Sequence, residues 1–312
     1  MGAIAIGIDV GGTHLRAALV GHAGLAGPVI KSPSAVHDPA ALVAGIVGAL
    51  DAFQQSGHGM LPVGLGMAGL VDRAGVLHYG PNVGVRAVPL LEHLQAALGR
   101  DRVVRVMNDG SAAVVGEHRV GVARGHRDVV MFTLGTGVGG GVIVDDRLLE
   151  GGHGFAGELG HLVIQQGGRD APSGVPGTVE AYASGSAFAR EADDARSSGV
   201  PGARRADAPG VVAAAELEEP WALTVLERVG ARLGVAIASV AAVVDPSIVV
   251  VGGGAGEAAS SFLLPAARRS FAQHLLGANH RPHPPIVAAG LGDDAGVIGA
   301  ALSAWDASEE RA

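Results

Sequence analysis

No cysteine occurs anywhere in the 312 residues, which excludes disulfide frameworks, thiol nucleophiles and every zinc site built on cysteine. Lysine is nearly absent as well: Lys31 stands alone, leaving 21 of the 22 basic residues as arginine. A Walker A loop needs Gly-Lys-Ser/Thr, and here Lys31-Ser32 follows Ile30, so phosphate binding of that kind is excluded. His126-Arg127-Asp128 imitates a protein-kinase catalytic loop, yet Thr133 stands where Asn is required and no Asp-Phe-Gly follows. Positive charge is in deficit, with a net charge of -8 at pH 7, so neither nucleic acid nor anionic membrane is an expected partner. Long hydrophobic runs are missing too. The longest, Gly234 to Val244, stops at Asp245-Pro246, short of the roughly 20 residues needed to span a bilayer. No basic flank precedes Ile4-Ala5-Ile6, so no signal peptide is expected, and Ile6 breaks the myristoylation pattern. The expected location is the cytoplasm.

What is present is apolar and rich in glycine: 48% of residues are hydrophobic and 51 are Gly, enough for one large domain or two medium ones sharing a cleft. Apolar runs bounded by Gly or Pro predict buried strands at Ile4–Ile8, Val63–Gly66, Val103–Val106, Val129–Leu134, Gly141–Val144 and Ile248–Val251. Apolar spacing near three or four predicts helices over Ala40–Phe53, Leu90–Leu98, Ser111–Arg119, Trp221–Val244, Ser260–Leu276 and Ala295–Trp305. The chain is therefore α/β. The polar stretch from Asp193 to Pro220 reads as a surface loop followed by a helix cap.

Two strands turn sharply through glycine and continue as another strand. Asp9-Val10-Gly11-Gly12-Thr13 leads into Leu15–Val20, and Leu134-Gly135-Thr136-Gly137 leads into Gly141–Val144. The repeat suggests two similar halves, each presenting a hairpin turn whose freed backbone amides can approach an anion. Gly135 to Gly140 formally matches the dinucleotide fingerprint, but a strand follows where that fold needs a helix. Either turn alone is a plain hairpin; their pairing is what points to phosphate. Asp9, ending a strand before Gly-Gly-Thr, can direct a hydrated Mg²⁺ at phosphates held by that turn, or can merely cap it. Asn108-Asp109-Gly110-Ser111 follows a strand and opens a helix, which puts a carboxylate at a strand's carboxyl end, where ligands bind in α/β folds. A plain helix cap is the alternative for Asp109. Glu158 and His161, three apart in a glycine-rich stretch, can face one ligand or form an exposed capping box.

Taken in order, Asp9–Thr13, Val63–Asp72, Pro81-Asn82, Asn108–Glu117, Leu134–Gly139, Glu158–His161, Glu180–Gly185, Asp245–Gly254 and Leu291–Ala300 resemble the ROK family over nearly the whole chain. That resemblance implies a duplicated ribonuclease-H-like fold of the actin/hexokinase type, two lobes around a cleft. The small lobe would be residues 1–118 and the large lobe 119–292, with helix 293–306 packing back on the small one. It implies an ATP- and Mg²⁺-dependent kinase acting on the 6-hydroxyl of a hexose, glucose first, with an amino or N-acetyl hexose as the alternative acceptor. Asp109 would be the base and Asn108 would hold the hydroxyl in line. Gly69, Asn82, Glu158, His161 and Glu180 would bind the other sugar hydroxyls. Gly11, Gly12, Thr13, Gly135, Thr136 and Gly137 would hold phosphates, Gly253 and Gly254 would lie on the adenosine side, and Asp9 would orient Mg²⁺. A homo-oligomer, dimer or tetramer, is expected.

The sequence departs from the family pattern at three places. His14 replaces the usual Lys after Gly-Gly-Thr, and Val85 stands where Trp is usual after Asn82. The family's zinc motif reads Ala171-Pro172-Ser173-Gly174-Val175-Pro176-Gly177-Thr178-Val179-Glu180, with all three thiolates gone, so no zinc is expected. A ROK regulator or non-catalytic sugar sensor is the competing class. Such a repressor carries a winged helix-turn-helix ahead of its lobes, and the first strand starting at residue 3 or 4 leaves no room for one. Retention of Asp109 and both turns favours the enzyme.

Overall fold

Alternation of large and minimal side chains along the first strands decides how this fold is layered. In the computed structural model, which describes residues 2–34, 38–80 and 86–311, strand Ala5–Val10 turns Ile6, Ile8 and Val10 to one face and Ala5, Gly7 and Asp9 to the other. Its parallel neighbour Val63–Met67 keeps the pattern in register, setting Val63, Leu65 and Met67 against Gly64 and Gly66. Helices Pro39–Phe53 and Leu90–Leu98 bury Leu42, Ile46, Leu50, Leu90 and Leu94 on the large-residue face. On the glycine face the C-terminal helix Ala295–Glu309 lies directly on backbone. A Cβ at Gly7 would stand 1.9 Å from the Val297 carbonyl oxygen, and one at Gly64 1.8 Å from that of Ala300. The C-terminal helix thus lies against the first sheet at Gly7 and Gly64.

The sheet runs Gly24–Leu25, His14–Gly21, Ala5–Val10, Val63–Met67, Val104–Asn108, with Ile30–Pro33 also paired to His14–Gly21. The second sheet repeats the order as Arg147–Leu148, Val138–Val144, Val129–Leu134, Ile248–Gly252, Ile286–Ala288. In both, the leading strand pairs antiparallel with the next one in sequence and parallel with the strand on its other side, Val63–Met67 in the first sheet and Ile248–Gly252 in the second. This is the duplicated ribonuclease-H-like architecture of the actin/hexokinase type. Helices Pro220–Val244 and Ser260–His274 cover the second sheet through Val225, Leu233, Leu263 and Phe271. No helix among the described residues is long and apolar enough to cross a membrane.

Helix Asp109–Val120 joins the two sheets. It leaves strand Val104–Asn108 of the first and meets the second at Gly110, where a Cβ would stand 2.4 Å from the Gly140 carbonyl oxygen. Its fully buried Glu117 accepts backbone N–H bonds from Val122 at 2.9 Å and from Gly290 and Leu291 at 2.8 Å each, fixing the entry to the C-terminal helix. A buried carboxylate with three donors is satisfied, and so it serves as a hub of backbone geometry.

The structure adds elements that the sequence-based expectations lacked. The stretch 193–220 is not a plain surface loop: helix Gly185–Ser197 runs into it, and helix Ala208–Glu216 buries Val211, Val212, Ala214 and Ala215. The missed signal is Asp207-Ala208-Pro209, a cap whose carboxylate accepts the Gly210 N–H at 2.9 Å with Pro in the first turn. A three-stranded sheet, Leu70–Val71, Val76–Tyr79 and Val88–Pro89, was also unforeseen. Its first turn is set by Asp72, which accepts from Ala74 and Val76 N–H groups at 2.9 Å, and by Gly75 at φ 73°.

Candidate active site

The carboxyl ends of the leading strands of the two sheets face each other across a cleft of about 580 Å³. It gathers Gly11, Gly12, Gly69, Asn108, Asp109, Gly135, Thr136, Gly137, Glu158, His161, Glu180 and Gly253 from the residues the sequence singled out. Thr13 and Gly254 adjoin the turns without lining the cleft, and Asp9 does not line it either. Asn82, with Pro81 and Val85, falls outside the described residues. Sequence reasoning missed Tyr79, delivered by the small sheet, and Ser173 and Val175, delivered by the loop before Thr178.

Asn108, not Asp109, caps the helix. Its Oδ1 accepts the Ser111 N–H at 3.0 Å while its Nδ2 donates to the Gly69 carbonyl at 3.1 Å. Gly69 takes φ 131°, where a Cβ would meet the Tyr79 carbonyl at 2.4 Å, so that contact requires glycine. The cap is thus supplied without Asp109, whose carboxylate accepts the adjacent Gly110 N–H at 2.9 Å and lines the cleft. Burial raises the Asp109 pKa against the lowering effect of that hydrogen bond and of Asn108.

Asp9 ends the leading strand of the first sheet on its glycine face. Burial first, then the charges of Asp109 and Asp293, push it up to about 7 against the pull of Arg16. Two carboxylates near enough to repel in a poorly solvated pocket suit a divalent cation, so the residues present fit Mg²⁺ held on the Asp9 side. Glu158 precedes the short turn Leu159–His161 without capping it, which removes the capping-box reading. Burial, followed by the charges of Asp109 and Glu180, pushes Glu158 up to about 7. His161 Nε2 lies 3.7 Å from Glu158 Oε2.

The second glycine turn is fastened from below. Gly185 N–H donates to the Gly135 carbonyl at 2.8 Å, Ser186 Oγ donates to that of Thr136 at 2.9 Å, and Val138 N–H donates to Glu180 Oε2 at 3.2 Å. A Cβ on Gly137 would stand 2.3 Å from that same Glu180 oxygen, so a side chain there would displace the carboxylate from the turn. Gly253, at φ 79°, packs its backbone on Leu134, bringing the strand Ile248–Gly252 to the same rim.

The family's zinc is not accommodated by these side chains. Ala171 is buried against Ala181 and Tyr182, while His161 Nδ1 and Thr178 Oγ1 are buried without a hydrogen-bond partner. One imidazole and a neutral hydroxyl do not make a structural zinc site, and among the described residues no group of three or more metal-binding side chains gathers anywhere.

The ROK family model matches residues 5–307. The chain is 35% identical over 313 residues to a glucokinase of Streptomyces coelicolor, covering 96% of each. To an N-acetylmannosamine kinase of Escherichia coli O9:H4 it is 30% identical over 308 residues, covering 96% of this chain and 97% of that one. The crystal structure of a ROK family glucokinase from Streptomyces griseus in complex with glucose and AMPPNP superposes with a TM-score of 0.82 at 33% identity, covering 96% of this chain and 98% of that one.

Proposed function

This chain belongs to the ROK family and is a sugar kinase, and we propose that it transfers the γ-phosphate of ATP to the 6-hydroxyl of a hexose, most directly glucose. The observation that carries the reading is the Asp109 carboxylate, relieved of capping by Asn108 and lodged between two glycine turns. Asp109 takes the hydroxyl proton as the sugar oxygen bonds to the γ-phosphorus. The bond from that phosphorus to the β–γ bridging oxygen breaks, and ADP leaves with its electrons. Asn108 holds the attacking hydroxyl in line, and Gly69, Asn82, Glu158, His161 and Glu180 hold the remaining ones. Gly11, Gly12, Thr13, Gly135, Thr136 and Gly137 offer amides to the phosphates, and Gly253 and Gly254 line the adenosine side. Mg²⁺ on the Asp9 side neutralises phosphate charge when bound. The lobes are 1–118 and 119–292. The protein works without zinc, in the cytoplasm, as a homo-oligomer.

Catalysis here is positioning plus charge: rigid turns and a buried base fix the reactants before reaction, and little covalent chemistry falls to the protein. Comparing kcat/KM for glucose and for N-acetylmannosamine, with 6-deoxyglucose as the blank acceptor, tests the assignment. Glucose should win and 6-deoxyglucose should give no product. A preference for the acetylated sugar would transfer the reading to the amino-sugar kinases, one of which this chain matches at 30% identity.

Glu158→Gln should raise KM for sugar by about 10–100-fold, the worth of a charge-assisted hydrogen bond, with KM for ATP nearly constant. Steady-state kinetics with each substrate varied checks this, and equal shifts in both KM values would remove Glu158 from the sugar side. Its titration adds a pH dependence. The carboxylate that accepts sugar hydroxyls is the minority form below about 7, so KM for sugar should fall as pH rises through that value, and the slope should vanish in Glu158→Gln. Stability runs the other way. Glu158 and Asp9 sit at about 7 when folded against ordinary values of 4.5 and 3.8, so the folded chain holds protons that the unfolded one releases. Their contribution to stability therefore declines as pH rises from about 4 to about 7. Ligand-free Tm measured across that window should show the decline, and Glu158→Gln should flatten part of it.

A further inference from the structure

We infer that Arg169 is the positioning residue of the sugar side: with Tyr182 and Glu191 it clamps the loop 165–178 in the place where a metal would otherwise hold it. The inference rests on the sugar-kinase reading of the cleft. The loop matters because Ser173 and Val175 line the cleft from it, and because it leads through Thr178 into the short helix Val179–Ala183 that carries Glu180.

Arg169 is held through both its backbone and its guanidinium. Its backbone N–H donates to Tyr182 Oη at 2.8 Å, and its carbonyl accepts the Gly177 N–H at 2.7 Å, closing the loop on itself. Its guanidinium donates to Glu191 at 2.7 Å and to Asp194 at 2.5 Å, two carboxylates three apart on helix Gly185–Ser197. It also stacks on the Tyr182 ring at 5.1 Å, and Arg232 approaches the same ring at 4.8 Å while donating to Gln165 at 3.0 Å. Arg190 adds a bond to the Asp170 carbonyl at 3.0 Å. Gly168 makes the approach feasible, since a Cβ there would stand 2.3 Å from Tyr182 Oη.

Glu191 separates this arrangement from an ordinary surface ion pair. It is 4% exposed, and apart from Arg169 its nearest cation is Arg228 at 3.9 Å. A buried carboxylate with one good partner penalises any arrangement that removes the partner, so the loop has one strongly favoured position. Tyr182 then links that position to the cleft, because it lies two residues from Glu180 on the same helix and packs on Ala171 and Ala181. Planar, always-charged guanidinium groups suit this stacking and forking in a way lysine does not.

The test is Arg169→Ala in the full-length enzyme, with Arg169→Lys as the milder variant should the first fail to fold. Hydrogen exchange of peptides spanning 165–178 should accelerate about ten-fold or more in Arg169→Ala, and measurably in Arg169→Lys, while exchange in Val129–Leu134 stays unchanged. KM for glucose should rise about ten-fold, with KM for ATP and kcat within about two-fold, and neither zinc nor a chelator should alter the wild type. Unchanged loop exchange in both variants overturns the clamp, as does a fall in kcat alone or a loss of wild-type loop protection on chelation. Wild type without any sugar-dependent turnover would instead contradict the kinase reading, and the exchange measurement would still decide the clamp.

Discussion

Asp109→Asn is expected to fold normally and to lose about 10²–10⁴-fold in kcat, the range for removing a general base, with KM for sugar little changed. The side chain is nearly isosteric and the helix cap belongs to Asn108, so local structure has no reason to move. Burial raises the Asp109 pKa, which means the charged carboxylate is disfavoured in the ligand-free fold. Replacing it by a neutral amide should therefore leave Tm unchanged or slightly higher. Activity falling while stability holds is the signature of a group placed for chemistry and not for folding. Turnover near the wild-type value in the same preparation would remove Asp109 from the base position.

Gly299→Ala is expected to destabilise the protein by about 3 kcal/mol or more, at the upper end for overpacking, because the new methyl meets backbone that cannot move aside. A Cβ there would stand 1.7 Å from the Ala112 carbonyl oxygen and 2.6 Å from Gly116 N. The helices Asp109–Val120 and Ala295–Glu309 would have to separate, and the first of them begins at Asp109. Gly45→Ala is the control. It lies in helix Pro39–Phe53, where an added methyl would find nothing within 4 Å, so the same change should stabilise by about 0.5–1 kcal/mol through helix propensity. Urea unfolding of the two variants beside the wild type reads both. Equal effects would mean that the close crossing of the two helices is not the reason for glycine at 299.

Much of this was legible because the same residues serve pattern and chemistry. Gly-Ile-Asp-Val-Gly-Gly reads as a strand with a turn, and its alternation fixes Asp9 on the face shared with the C-terminal helix. Likewise Asn108-Asp109 at a strand end leaves two candidates for the helix cap in the sequence, and the hydrogen bonds give the cap to Asn108. What escaped was what depends on distant partners. Tyr79 enters the cleft on a small sheet whose strands are too short to carry a period. Helix Ala208–Glu216 hides in an alanine-rich stretch where the only sharp signal is its cap. Arg169 looks like any surface arginine until Glu191, 22 residues on, is found buried beneath it.

ADP release with ATP·Mg²⁺ in the presence of glucose, wild type beside Asp109→Asn, reads the hexose-kinase activity and the base together. Glucose-dependent ADP formation, matched mole for mole by glucose 6-phosphate, is expected in the wild type, with a reduction of about 10²-fold or more in the variant. ADP formed without sugar, no turnover with any hexose, or equal rates in the two proteins would contradict that expectation.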